Sequence, residues 1–187
     1  MSSKGVRIRL ERPTMSRAAV FLSAAKNSRV FHRHWGQAPS TLAEYRRFVE
    51  RARKATHFGH FVVSEDDDLA GVININEVVR GSFCSGYLGY YALAPYQGRG
   101  YMREGLKAVI RMAFGEYALH RLEANIQPDN VRSIGLVRAA GFRREGYSPR
   151  YLKVGGRWRD HERWALTVED WRRHRGGTRL PANERRS

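Results

Sequence analysis

The 187-residue sequence predicts an α/β domain built on a central mixed, mostly antiparallel sheet flanked by helices. Two periodicities lead there. Segments such as 6–10 and 122–126 alternate apolar and polar residues, as half-buried strands do, while 42–49 and 102–114 repeat apolar residues at helical spacing. The two kinds of segment interleave without an internal repeat. With 42% hydrophobic and 11% aromatic residues, the chain has material for one core of ordinary size.

The first strand covers 6–10 and stops before Pro13, after which Ser16 is placed to cap a helix running through Leu22. Thr41 and Glu44 form a Thr-x-x-Glu capping box that opens a helix over 41–55, with Leu42, Tyr45, Phe48 and Val49 on its apolar side. Residues 60–63 and 70–76 pair around the acidic turn Glu65, Asp66, Asp67, Asp68, and 86–93 adds a third strand. Then the period changes. Residues 95–100 make a tight turn into a helix whose one face carries Met102, Leu106, Val109, Ile110, Ala113 and Phe114. A strand over 122–126 follows, and Asn130 caps a helix carrying Ile134, Leu136 and Val137 that ends at Gly141. Two last strands lie within 143–152 and 162–166, joined by a turn at Gly155 and Gly156. This gives one domain over 1–171 and a basic, aperiodic, flexible tail over 172–187.

Lys and Arg number 34 against 18 Asp and Glu, a net charge of +16, and 29 of the basic residues are Arg. Guanidinium groups present a planar fork of donors to phosphates, so anionic partners are favoured and a polycationic substrate such as a polyamine is disfavoured. A solvated Arg-rich surface with no partner is the other explanation. Cys84 is the only cysteine, which excludes an intrachain disulfide and paired-Cys metal sites and fits a reducing, cytoplasmic compartment. No export signal or membrane span is expected, because no run of eighteen apolar residues occurs. His32 and His34 lack the further ligands of a metal site, and no metal is expected.

Gln97, Gly98, Arg99 and Gly100 stand between a strand and a long amphipathic helix. Backbone N–H groups at such a positive helix end suit an anion, a pyrophosphate above all, and glycine allows close approach or a positive φ. A plain strand-to-helix turn has the same sequence. Neither the P-loop nor the dinucleotide fingerprint fits. Taken with Leu93, Ala94 and Pro95 before it, the strand ending at Asn130, and Ala140, Gly141 and Phe142 after it, the order resembles the GNAT superfamily of acyl-CoA-dependent N-acyltransferases over roughly residues 6–171. Residues 100–102, 127–133, 140–147 and 156–161 further resemble the RimJ-type branch, whose members acetylate the N-terminal amine of proteins, typically an alanine of a ribosomal protein.

The resemblance implies that Gln97, Gly98, Arg99, Gly100, Tyr101 and Met102 cradle the pyrophosphate of acetyl-CoA, while backbone groups of Tyr91, Ala92 and Leu93 pair with its pantetheine arm. An N–H near Leu93 would polarise the thioester carbonyl, a contribution of roughly 3–4 kcal/mol. Asn130 would hold the arm, or serve as a helix cap alone. Val137 stands where many members carry a tyrosine acid, which excludes that acid here; Ser133 resembles the serine that gives a proton to the leaving thiolate in related ribosomal N-acetyltransferases, unless it only assists the cap. An α-amine, with a reference pKa near 7.7–8.0, is roughly 20% neutral around pH 7 and needs little help from a base. Glu77 shares parity with Ile73 and Ile75, so a continued strand would aim it inward, where burial would raise its pKa; a solvated strand end is the alternative. Phe31, Trp35 and Trp158 either border the acceptor groove or pack in the core. The expected reaction is direct acetyl transfer, in a ternary complex, to the N-terminal α-amine of a ribosomal protein, with the basic surface and tail touching ribosomal RNA. A small-molecule amine acetyltransferase and a non-catalytic RNA- or ribosome-binding module stay open beside it.

Overall fold

The computed structural model describes residues 7–32, 35–36 and 38–175. Its strands are β1 (Ile8–Glu11), β2 (Phe58–Ser64), β3 (Leu69–Val79), β4 (Ser85–Ala92), β5 (Arg121–Ile126), β6 (Arg143–Val154) and β7 (Arg157–Thr167). The helices are α1 (Ala18–Asn27), α2 (Arg29–His32), α3 (Leu42–Arg51), α4 (Tyr101–Phe114), α5 (Val131–Ala139) and α6 (Val168–Arg175). The strands form one sheet in the order β1-β2-β3-β4-β5-β7-β6. Every neighbouring pair is antiparallel except β4 and β5, so the mixed, mostly antiparallel sheet is as expected.

The parallel pair is short. It runs from Ser85 opposite Arg121 to Tyr87 opposite Glu123, yet β4 continues to Ala92 on its β3 partner and β5 continues to Ile126 on β7. Beyond Tyr87 the two strands part and leave a gap in the middle of the sheet.

Each face of the sheet has its own core. On one, Leu106, Val109 and Ile110 of α4 pack on Ile73, Ile75, Leu122 and Ala124, all at most 2% exposed. Met102 seals this contact against Gly71, where a Cβ would collide with its sulfur. On the other face Phe21 of α1 and Phe48 of α3 stack on Phe61 of β2 at centroid distances of 5.7 and 6.1 Å, and Tyr45 of α3 lies tilted against Phe21 and Phe48 at 4.8 and 6.0 Å. Burying each such ring stabilises by roughly 1.5–3 kcal/mol.

The capping box forms as its spacing predicts: Thr41 Oγ1 accepts from the Glu44 N–H at 3.2 Å and the Glu44 carboxylate accepts from the Thr41 N–H. Ser16 does not cap a helix. It sits inside a 3₁₀ turn over Met15–Arg17, hydrogen-bonded to Thr14 at 2.8 Å, and the helix that follows has Arg17 at its N-cap. The expected tail also starts too early at 172. α6 runs to Arg175 because the Asp170 N–H bonds Thr167 Oγ1 at 3.3 Å and Trp171 packs on Phe114 at 5.4 Å. Residues 176–187, like Val6 and His34, lie outside the described residues. Among the described residues no helix is long and apolar enough to cross a membrane.

Candidate active site

A cavity of about 730 Å³ lies at the end of β4 where it has parted from β5, between β4, the turn into α4 and α5. Gly98, Gly100 and Met102 line one end, Asn130 and Ser133 of α5 the flank, Tyr90, Tyr91 and Ala92 the middle, and Phe31, His32 and Trp35 the other end.

The turn into α4 is held in a form only glycine adopts freely: Gly98 has φ +75° and Gly100 φ +90°. No side chain caps α4. The N–H groups of Arg103 and Glu104 reach back to the Gly100 carbonyl at 3.0 and 3.2 Å, which leaves those of Tyr101 and Met102 for a ligand at the positive end of the helix. A Cβ on Gly98 would meet nothing within 4 Å, so the turn keeps open the space a side chain would fill. Beside it, Gln97 Nε2 is buried with no hydrogen-bond partner among the described residues. An orphaned donor, open space and free N–H groups fit an anion rich in oxygen atoms, as a diphosphate is.

The cradle expected at Arg99 and Tyr101 is one of backbone N–H groups, and their side chains are engaged elsewhere. Neither lines the cavity. Tyr101 is 4% exposed and donates to Glu65 at 3.1 Å, with Arg7 over its ring; Arg99 lies over the ring of Tyr96 at 5.5 Å. Their contribution to the turn is backbone and anchorage.

The Leu93 amide cannot polarise a thioester. Leu93 is fully buried and its N–H donates to the Ala70 carbonyl at 2.8 Å. By the alternation of an antiparallel ladder, Tyr91 also turns its backbone to β3, and Tyr90 and Ala92 present theirs to the gap. The Ala92 carbonyl already accepts from His32 Nε2 at 2.8 Å. Burial pushes the phenols of Tyr90 and Tyr91 above their ordinary pKa, so both remain neutral.

Asn130 is the N-cap of α5, its Oδ1 accepting from the Ser133 N–H at 3.2 Å. With the oxygen engaged, its amide NH₂ is the group left for the cavity. Ser133 is pinned on both sides, since its carbonyl accepts from the Tyr90 hydroxyl at 3.3 Å.

Glu77 is displaced from the role its parity implied. A β-bulge falls between Asn76 and Val79, Glu77 takes φ +48°, and its side chain is 74% exposed, 3.5 Å from His57 and outside the cavity. The extra residue of the bulge breaks the alternation on which the expectation rested. The carboxylate at the point where β4 and β5 part is Glu123, 20% exposed and held by Arg121 Nε at 2.9 Å. Its signal was present in the sequence: Arg121, Glu123 and Asn125 alternate with the buried Leu122, Ala124 and Ile126. Phe31 and Trp35 line the cavity, whereas Trp158, 61% exposed on the β6–β7 hairpin, does not.

A splayed α/β sheet with an uncapped glycine turn at the mouth of the splay defines an acyltransferase-type domain, and the chain belongs to the acetyltransferase (GNAT) domain family, whose model matches residues 7–143. It is 45% identical over 117 residues to the [ribosomal protein uS5]-alanine N-acetyltransferase of Escherichia coli, a stretch covering 63% of this chain and 60% of that relative's length. Among solved structures it is similar to the ribosomal-protein-S5-alanine acetyltransferase from Vibrio fischeri, with TM-score 0.79 and 25% identity over 91% of this chain and 98% of that one. Mycobacterium smegmatis RimJ in complex with CoA-disulfide shares the fold at TM-score 0.81 and 24% identity, over 91% and 89% of the two chains. The resemblance drawn from residues 97–102 and 127–147 is thereby borne out.

Proposed function

We propose that this chain transfers the acetyl group of acetyl-CoA to the N-terminal α-amine of a ribosomal protein, by direct attack in a ternary complex. The observation that carries this reading is the continuity of one cavity from the uncapped start of α4 to the β4–β5 gap and on to Phe31 and Trp35. The N–H groups of Tyr101 and Met102, with Gln97, would hold the diphosphate; the backbone of Tyr90 and Ala92 and the amide of Asn130 would hold the pantetheine arm. The thioester supplies an acyl group already activated toward an amine. As the amine nitrogen bonds the acetyl carbon and the C–S bond breaks, Ser133 gives a proton to the departing sulfur and regains one from solvent, and the proton lost by the amine passes through water to Glu123, which stands where β4 and β5 part but does not itself line the cavity. The ribosomal acceptor is supported by the 45% identity to the uS5-alanine enzyme, and a polyamine acceptor is disfavoured by the +16 charge.

The test is mass spectrometry of synthetic peptides, matching ribosomal-protein N-termini, after incubation with the purified chain and acetyl-CoA, with spermidine as a competing amine. One acetyl on the α-nitrogen is expected. Acetylation of spermidine alone, or of lysine side chains, would overturn the acceptor assignment. Initial rates with both substrates varied should give intersecting double-reciprocal lines, and parallel lines would rule out the ternary complex.

A further inference from the structure

A second cavity, about 390 Å³, lies where α4, α5 and α6 meet. Lys107 and Arg111 of α4 and Arg138 of α5 supply its charge, His174 of α6 stands beside them, and Ile110 and Ala139 contribute apolar lining. Lys107 and Arg111 are four residues apart and continue the ridge begun by Arg103, so cations repeat about every 6 Å along one side of α4. Ala139 lines both this cavity and the one at the β4–β5 gap, which makes the two contiguous.

All three cations are exposed, and among the described residues none pairs with a carboxylate. The acids on the same helices are engaged elsewhere: Glu104 with Arg7, Glu169 with His120, Asp170 with Arg143 and Arg173. Arg138 instead lies over the ring of Trp164 at 5.6 Å. Uncompensated cations in a row gather counterions, and a chain of phosphates that displaces those ions binds through their release. A single phosphate would be matched by donors converging on one point; here the charges are strung along two helices over an apolar floor, which suits a strand with sugars and bases between its phosphates. The sequence beyond α6 adds Arg179, Arg185 and Arg186 against Glu184.

We infer that the groove between α4, α5 and α6 binds the phosphate backbone of RNA, so that the chain docks on a ribonucleoprotein while its other cavity works on a protein terminus. The RNA contact does not depend on the acetyl-transfer reading, and either can fail alone.

The experiment measures fluorescence anisotropy of a fluorescein-labelled stem-loop RNA with the full chain, with and without acetyl-CoA. The triple variant Lys107→Gln, Arg111→Gln, Arg138→Gln is compared with a charge-matched control at Arg46, Arg47 and Arg53, each to Gln. The groove variant should bind at least about tenfold more weakly and lower the slope of log K against log salt by about 3, roughly one for each lost phosphate contact. The control should change binding less than threefold, and a variant with Lys107→Arg, Arg111→Lys and Arg138→Lys should bind as the parent does. The KM for acetyl-CoA should be the same in all of them. Equal weakening by groove and control variants, no weakening by the groove variant, or a rise in acetyl-CoA KM that parallels the loss of RNA binding would each overturn the proposal.

Discussion

The phenol of Tyr96 donates to Asp68 Oδ2 at 2.6 Å, tying the turn that starts α4 to the acidic turn between β2 and β3. Tyr101 does the same with Glu65, and the two rings meet edge to face at 5.0 Å. The acidic turn therefore positions the residues around Gly98 and Gly100 without touching their cavity. Tyr96→Phe should raise the KM for acetyl-CoA about three- to tenfold and leave kcat nearly unchanged. Because Asp68 is exposed, the loss of stability should be only about 1 kcal/mol. Steady-state kinetics beside a thermal melt checks both parts; a fall in kcat with unchanged KM would refute this role.

Gly98→Ala and Gly100→Ala separate strain from occlusion. Both positions have positive φ, so each substitution should cost about 1–2 kcal/mol. At Gly100 the new methyl meets the movable tip of Arg7 at 3.2 Å, while at Gly98 it enters space that is otherwise open. At matched stability, Gly98→Ala should weaken acetyl-CoA binding the more, by tenfold or greater in calorimetric titration. The reverse order would place the phosphates elsewhere.

Much of this was legible in the sequence. The capping box of Thr41 and Glu44, the cap at Asn130, the glycine turn and the alternation of apolar residues are local signals, and the fold honours them because their partners lie within a few residues. What could not be read is non-local or depends on register. The bulge at Glu77 shifts parity by one residue, and nothing in residues 72–79 marks it. The Leu93 amide is taken by Ala70, a pairing fixed only once β3 and β4 are in register. Glu123 gains importance because β4 and β5 separate just after it, a fact of tertiary packing.

Asn130 has two roles that substitution can split. Asn130→Ala removes the cap and should cost about 1 kcal/mol, together with a weaker hold on the cofactor arm. Asn130→Asp keeps an oxygen for the Ser133 N–H but has no amide NH₂. It should melt near the parent temperature and still raise the KM for acetyl-CoA severalfold. If the Asp variant matches the parent in both measurements, Asn130 is a cap and nothing more.

The choice between two carboxylates is equally direct. Glu123→Gln should lower kcat about a hundredfold on a peptide acceptor with little change in the KM for acetyl-CoA, as loss of a base requires. Glu77→Gln should change neither, since Glu77 is 74% exposed and lies 3.5 Å from His57, outside the cavity. Steady-state rates of the two variants decide the matter, and an unaltered kcat in Glu123→Gln would remove it as the base.

His60 makes folding itself sensitive to pH. It is 1% exposed in the core; Nδ1 donates to the Ile73 carbonyl at 3.2 Å, so Nε2 must accept from the Tyr117 hydroxyl at 2.8 Å. A second proton would replace that acceptor with a donor facing the phenol. Burial first, and the charge of Arg12 after it, lower the ring from its usual 6.5 to about 4. Between those values the unfolded chain binds a proton that the folded chain refuses, so stability is complete above about pH 6.5 and declines as pH falls toward 4. The full decline amounts to about 3 kcal/mol. His161, also held down by burial, acts in the same direction. Urea midpoints at pH 7.5 and pH 5 should therefore differ in the parent. In His60→Asn, which is less stable at pH 7.5 because Tyr117 loses its acceptor, the difference should shrink by more than half. A parent midpoint that is flat across this interval, or an Asn variant that keeps the whole difference, would mean that another group carries the titration.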